Sequence, residues 1–439
     1  MSDMANSTVS RIDRGQAAPA SPQFGLIVVR YANAALEGVS HAVSKQLSLG
    51  RGGGETVDIA LTQDERASRR HAVLTRQGDA VVVEDAGSKN GTFVNGAKVQ
   101  RSTLRAHDVL RIGDTLFIWT QLPEGPPATS GELIGRSATL TSLLSALDAL
   151  ARTELPVLLI GETGSGKELL ARRLHAQSER KGQLVPVNVS AIPETLFESY
   201  MFGHVKGAFT GASTDASGAF EQARDGTLFL DEVGEMPQSQ QAKLLRVLET
   251  LDFTPVGARK AEKSNARIVA ATNAAIDLPG AKHFRRDLFA RLSAGLLHVP
   301  PLRARKEDIP LIAAALMPPN EVLTVDDLER LLCFDWPLNV RELRSVLQRF
   351  ALGTPISTLL TSCTPETTTP AIANQAADTP IGRVKRRSPS PPMSKEAFVA
   401  ALEQSKGNVV ALAKALDADR KQIYRWLKRF SLSPESFRK

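Results

Sequence analysis

The sequence predicts a multidomain chain: an all-β sandwich, then an α/β domain on a parallel sheet, then a small all-α domain. Three observations carry that expectation. Short runs of Val, Ile, Leu and Phe, punctuated by Gly, Asp and Asn, fill residues 23–121. Apolar strand-like runs alternate with helix-length segments over 133–353. After residue 395, apolar positions recur at helical spacing. Two stretches separate these parts. LPEGPPATSGE at 122–132 holds three prolines and two glycines. Residues 354–394 are rich in Pro, Thr and Ser, with too few large apolar residues to offset the entropy of ordering, and are expected to be a disordered linker. The polar residues 1–22 read as a flexible N-terminus.

The elements follow in order. GLIVVR (25–30), HAVLT (71–75), AVVVED (80–85), GTFVNG (91–96) and DTLFIW (114–119) are the strand candidates of the sandwich. LPVLLI (155–160), VPVNVS (185–190), TLFLDE (227–232) and RIVAATN (267–273) are those of the second domain, with helices such as SQQAKLLRVLETL (239–251) between them. In the third part, Phe398, Leu402, Val409, Leu412, Ala413, Leu416, Ile423, Trp426 and Leu427 form the expected core, with the turn LDAD between two short helices.

Composition excludes several classes. The chain has 439 residues and a net charge of +7. Residues 382–439 hold 14 basic against 5 acidic residues, a net of +9, so the rest sums to −2. Basic character therefore belongs to the C-terminal segment, which points to nucleic acid there. Two cysteines, Cys333 and Cys363, supply neither a disulfide framework nor a cysteine-based zinc site. No apolar run approaches the roughly 20 residues of a membrane span, and 1–16 lack an apolar signal core. The expected location is cytoplasmic, with no membrane partner.

The motif GETGSGKE at 161–168 follows an apolar strand and opens a helical pattern. Its glycines let backbone N–H groups turn around phosphates at a helix N-terminus. Gly161, Glu162, Thr163, Gly164, Ser165, Gly166, Lys167 and Glu168 form the expected ATP cradle, with Lys167 reaching the β- and γ-phosphates. Glu168 stands where the general pattern has a magnesium-binding Ser or Thr. Metal binding must then lean on the strand that ends in Asp231 and Glu232. Asp231 is assigned to Mg2+ and Glu232 to polarising the attacking water.

These motifs are joined, in order, by GAFTGA (207–212), AATN (270–273), FRRDLFARL (284–292) and PPLRARKEDIPLI (300–312). Together they resemble the AAA+ ATPase domain of bacterial enhancer-binding proteins, the activators of sigma-54 RNA polymerase. In that family a Glu follows the lysine, as Glu168 does here. The resemblance implies a P-loop fold with a helical lid from about residue 301. It implies that Asn273 is the sensor I residue, that Asn188 pairs with Glu232, that Arg285 and Arg291 are arginine fingers acting in trans, and that Arg341 is the sensor II arginine of the lid. It further implies a homo-oligomeric, hexameric ring, and a mobile loop of Gly207, Ala208, Phe209, Thr210, Gly211 and Ala212 that touches sigma-54. Val205 and Leu338 depart from the family pattern, and the lid looks short.

In the first domain, GR at 50–51, SRRH at 68–71, SKNGT at 88–92 and NG at 95–96 lie between predicted strands. Their joint spacing resembles a forkhead-associated (FHA) domain, a sandwich that binds phosphothreonine peptides. By that resemblance Arg51, Ser68, Arg69, Lys89 and Asn90 would hold phosphate and peptide, Asn95 would steady the loop or contact peptide, and His71 would brace the loops from inside. The C-terminal helices are similar to a Fis-type helix-turn-helix over 395–432, in which Arg420, Lys421, Gln422, Tyr424 and Arg425 would face enhancer DNA. The resulting expectation is an ATP-dependent activator of sigma-54 RNA polymerase that answers to a phosphothreonine protein. Two alternatives stay open at this point: a non-enzymatic, phosphopeptide-gated DNA-binding regulator, and an AAA+ remodeller of a different client.

Overall fold

The computed structural model describes residues 23–31, 37–53, 56–78, 80–123, 132–274, 276 and 283–363, with single positions between Phe398 and Leu432. Met1–Thr367 form one compact unit and Thr368–Lys439 a second. In the second unit Phe398, Leu402, Leu412, Ile423 and Leu427 are helical and buried, each at a position expected to be core. Arg420, Lys421, Gln422, Tyr424 and Arg425 lie outside the described residues.

The first unit opens with the sandwich. Its strands are β1 (Phe24–Arg30), β2 (Ser40–Ala42), β3 (Gln46–Gly50), β4 (Ile59–Ala60), β5 (Ala72–Gln77), β6 (Ala80–Asp85), β7 (Thr92–Val94), β8 (Ala97–Val99), β9 (Arg101–Leu104), β10 (Asp108–Ile112) and β11 (Thr115–Gln121). One sheet runs β2-β1-β11-β10-β7-β8 and the other β4-β3-β5-β6-β9. Leu26, Val28, Leu110, Ile112, Phe117 and Trp119 point between the sheets. Their strand neighbours Ile27, Val29, Val109, Leu116 and Ile118 point the other way, yet are buried too.

That second apolar face has a cover. It packs on a helical bundle made of α7 (Ile309–Leu316), α8 (Val325–Cys333), α9 (Asn339–Ala351) and α10 (Ile356–Cys363). Burial on both faces explains why GLIVVR and TLFIWT are continuous apolar runs and not alternating ones. At roughly 1.5–3 kcal/mol per fully buried aliphatic side chain, the five outward residues make this a firm contact.

The α/β domain begins with α1 (Ala138–Ala151), capped by Ser137, whose Oγ accepts from Leu140 N at 3.3 Å. Then come β12 (Val157–Ile160), α2 (Lys167–Gln177), β13 (Leu184–Asn188), α3 (Phe197–Phe202), α4 (Ala219–Gln222), β14 (Thr227–Asp231), α5 (Gln238–Thr250), β15 (Asp252–Phe253), β16 (Glu262–Lys263), β17 (Arg267–Thr272), α6 (Arg286–Leu292) and β18 (Gly295–His298). The main sheet is parallel, in the order β13-β14-β17-β12-β18. Helices cover both faces, with separate apolar clusters on either side.

One strand was not foreseen and one boundary needs correction. The strand β18 carries no strong sequence signal. Leu296 and His298 are exposed on this edge, so only Gly295 and Leu297 mark it as buried. The linker does not begin at 354, because α10 occupies 356–363 and buries Ile356, Leu359 and Leu360 in the lid core. Those three sit at i, i+3 and i+4, one face of a short helix behind Pro355.

Candidate functional site

The parallel sheet delivers its functional groups to one end. The loop between β12 and α2 is shaped by glycines in the left-handed region, Gly164 at φ 75° and Gly166 at φ 107°. At Gly164 a Cβ would also lie 2.3 Å from Leu338 O, so the lid approaches the backbone there as only glycine allows. Lys167 opens α2, and its Nζ donates to Gly161 O at 2.7 Å and Glu162 O at 3.1 Å. Burial pushes the Lys167 amine down, against the pull of Asp231 and Glu232.

A cleft of ≈ 320 Å³ brings Lys167, Glu168, Asp231, Glu232, Asn273 and Arg341 together with Thr163, Gly164 and Gly166. Asp231 ends β14 and its carboxyl is pushed up, first by burial. Glu232 follows in the left-handed region at φ 59°, which turns its side chain off the strand line. Asn273 leaves β17 and its Nδ2 donates to Thr163 Oγ1 at 3.1 Å. Arg341 stands in the first turn of α9, on the lid side of the cleft. Arg344, one turn on, lines the same cleft and went unnoticed in the sequence.

Asn188 meets Glu232 differently from expectation. Its Oδ1 accepts from Ser190 N at 3.1 Å and lies 2.8 Å from Ser190 Oγ, whose single proton goes to Glu232 Oε2. Ser190 is thus the bridge, and the direct Asn188–Glu232 pair is replaced by a relay.

Asn339 was also missed. It is fully buried at φ 53°. Its Nδ2 donates to Glu162 Oε2 and to Thr163 O, each at 3.1 Å, while its Oδ1 accepts from Leu302 N at 2.7 Å. Arg303 grips Glu162 bidentately and holds that carboxyl below the usual range. The almost wholly buried Arg305 donates to Ser165 O at 2.8 Å. The lid and its approach segment therefore hold the phosphate loop at Glu162, Thr163 and Ser165.

Arg285 and Arg291 do not line this cleft. The Arg285 guanidinium pairs with Asp287 at 2.7 Å on the surface, and Arg291 Nε donates to Leu248 O at 3.1 Å. The loop 207–212 projects between α3 and α4. Gly207 at φ 81° and Gly211 at φ 107° turn it, and Gly207 N donates to Ala212 O at 2.8 Å. Thr210 is exposed and Phe209 is 41% exposed, its ring edge-on to His204 at 5.0 Å.

On the sandwich, three loops converge. Arg51 N donates to Ser68 O at 2.8 Å, Gly52 N to Arg69 O at 2.9 Å, and Lys89 N to Ser68 Oγ at 3.0 Å. Asn90 Nδ2 donates to Arg66 O at 2.6 Å. Arg51, Arg69 and Lys89 are exposed, and none has a salt bridge among the described residues. His71 is fully buried between Ser68 N (3.0 Å) and Gly91 O (3.1 Å), the brace expected of it. Asn95 spends its amide on Asp108 and Val109 at 2.8 and 2.9 Å, so it steadies the loop.

A carboxylate, a lysine and a glycine-shaped loop at a helix N-terminus suit a nucleoside triphosphate, and Asp231 is a hard oxygen donor of the kind Mg2+ takes. Among the described residues no group of three or more His, Cys, Asp or Glu could hold a metal ion. No described helix is long and apolar enough to cross a membrane.

Residues 133–298 match the sigma-54 interaction domain family, and 47–113 match the FHA domain family. The nitric oxide reductase transcription regulator NorR1 of Cupriavidus necator is 46% identical over 52% of this chain and 47% of its own length. The anaerobic nitric oxide reductase transcription regulator NorR of Vibrio vulnificus is 40% identical over 69% of this chain and 64% of its own. The crystal structure of NtrX from Brucella abortus with ADP is 30% identical, covers 69% of this chain and 70% of that one, and has a TM-score of 0.48. The chain spans about half to two-thirds of the length of the curated relatives it matches. The chain thus carries a segment that matches the FHA domain followed by one that matches the sigma-54 interaction domain, and the curated relatives it resembles are named as transcription regulators.

Proposed function

We propose that this protein is an ATP-dependent activator of sigma-54 RNA polymerase, held at enhancer DNA by its C-terminal residues and regulated by phosphothreonine recognition. The observation that carries the reading is the Glu232–Ser190–Asn188 relay. It ties the carboxylate beside the phosphate loop to the start of segment 189–202, which runs through α3 into the exposed loop 207–212. A change at the terminal phosphate has a short covalent path to that loop.

Lys167 and the backbone N–H groups of 161–168 bind the phosphates. Glu232 orients and polarises water. Asn273 and Arg341 read the terminal phosphate from the sheet and the lid. Mg2+ held by Asp231 would neutralise phosphate charge. Arg285 and Arg291 serve a neighbouring subunit, a role supported by their absence from the lining of their own cleft and one that calls for a ring. Six copies fit the family pattern. Arg51, Ser68, Arg69, Lys89 and Asn90 take the phosphothreonine, where charge-assisted bonds to a dianion discriminate it from plain threonine. Arg420, Lys421, Gln422, Tyr424 and Arg425 contact DNA, in keeping with the net charge of +9 over 382–439.

The test is ATP turnover at ring-forming concentration. The wild type is expected to hydrolyse ATP and Lys167→Ala to lose turnover. Equal turnover in both proteins, or none in the wild type, overturns the reading.

A further inference from the structure

The FHA domain is not a free appendage, because its outer sheet face is sealed onto the lid. We propose that this contact makes the domain an intramolecular regulator of the nucleotide site, with Arg111 as the coupling residue. Its ligand rests on the phosphothreonine reading above; the contact itself does not.

Arg111 lies on β10 and is only 12% exposed. Its Nη1 donates across the contact to Asp326 at 2.6 Å and Glu329 at 2.8 Å, both on α8 of the lid. Its Nε is fixed by Gly113 O at 3.0 Å, and its Nη2 lies 3.8 Å from Asp114. Asp114 is held in turn by Arg66 at 3.1 Å, and Arg66 O accepts from Asn90 in the proposed phosphate-binding loops. A continuous polar chain thus runs from those loops to α8. On the far side, the lid holds the phosphate loop through Asn339, and its approach segment does so through Arg303 and Arg305. A second cross-contact meets that approach segment directly. Thr120 on β11 donates to Glu307, two residues beyond Arg305.

One guanidinium shared by two lid carboxylates and two sandwich groups cannot move without breaking bonds on one side. Reordering the phosphate-binding loops therefore biases α8, and lid position biases the nucleotide site. Coupling of this kind is reciprocal between the two ligands, so either sign of control satisfies it.

The test uses the full chain, a fluorescent, slowly hydrolysed ATP analogue with Mg2+, and a peptide pool with fixed phosphothreonine and randomised flanks. In the wild type the pool is expected to shift the analogue Kd by roughly fivefold or more. In Arg111→Ala that shift falls to about one, while pool affinity stays within about threefold of wild type, and Arg111→Lys restores part of the shift. A residue that only stabilises the fold would change both affinities and leave their coupling intact. Persistence of the full shift in Arg111→Ala, or its absence in a wild type that binds the pool, overturns the proposal. Should the wild type bind no pool, the phosphothreonine reading fails. The regulator is then judged on the analogue alone: an Arg111→Ala Kd equal to wild type overturns it, and a shift of about threefold or more sustains it.

Discussion

Replacing Glu307 with glutamine isolates the electrostatic cost of sealing the sandwich onto the lid. Glu307 is 2% exposed. Its Oε1 accepts from Thr120 Oγ1 at 3.2 Å and its Oε2 has no hydrogen-bond partner among the described residues. His107 Nδ1 lies 4.0 Å away, but burial pushes that imidazole down, so it supplies no counter-charge at neutral pH. Burial first, then the Asp308 charge, pushes the Glu307 carboxyl up to about 7 against Arg136 and the Thr120 bond. The unfolded chain titrates near 4.5. The folded protein therefore binds the extra proton between those values, and stability falls as pH rises from about 4.5 to about 7. Above that window the cost is complete, at about 3 kcal/mol for a displacement of this size. The substituted amide keeps an acceptor for Thr120 and carries no charge. Urea unfolding of the full chain at pH 8 is expected to find Glu307→Gln more stable than wild type by about 1–3 kcal/mol, with the difference nearly gone at pH 5. Equal differences at the two pH values, or destabilisation at pH 8, would refute the reasoning.

Two further predictions concern the two binding sites. Asn339→Ala leaves the buried Leu302 N without its acceptor, at roughly 1–3 kcal/mol, and asks Ala to adopt a left-handed backbone at about 1 kcal/mol more. ATP-analogue affinity should fall about tenfold or more in a fluorescence titration, and unchanged affinity would remove Asn339 from the positioning of the phosphate loop. Arg51→Ala takes a charge-assisted bond of roughly 1.5–3 kcal/mol from the phosphate. Anisotropy with the phosphothreonine pool should show binding lost, and equal wild-type affinity for phosphorylated and plain pools would sink the assignment.

What the sequence disclosed and what it hid follow from range. The phosphate loop, the Asp231–Glu232 tip and the 207–212 loop are legible because their chemistry is packed into a few consecutive residues. Ser190 and Asn339 were not. Each acts on a partner far along the chain, and a lone Ser or Asn has a local use far more often. Asn339 did carry a faint signal, since Asn tolerates the left-handed region that the Trp336–Asn339 corner uses. The sandwich–lid contact was not read from the sequence. Continuous apolar runs at β1 and β11 are the pattern of strands covered on both faces, but they were read only as sandwich strands, and nothing local named α8 as the cover. Arg111 reads as an ordinary strand-edge charge until Asp326, more than two hundred residues later, is folded against it.

The central claim is that nucleotide turnover at this cleft drives sigma-54 RNA polymerase through the loop 207–212. Single-round transcription in vitro from a sigma-54 promoter bearing the enhancer site measures it directly, with full-length protein, with and without ATP, beside Thr210→Ala. The account predicts transcript only with ATP and the wild-type loop, and retained ATP hydrolysis in a Thr210→Ala protein that yields no transcript. Wild-type transcript levels from Thr210→Ala, or transcript independent of hydrolysable ATP, would contradict it.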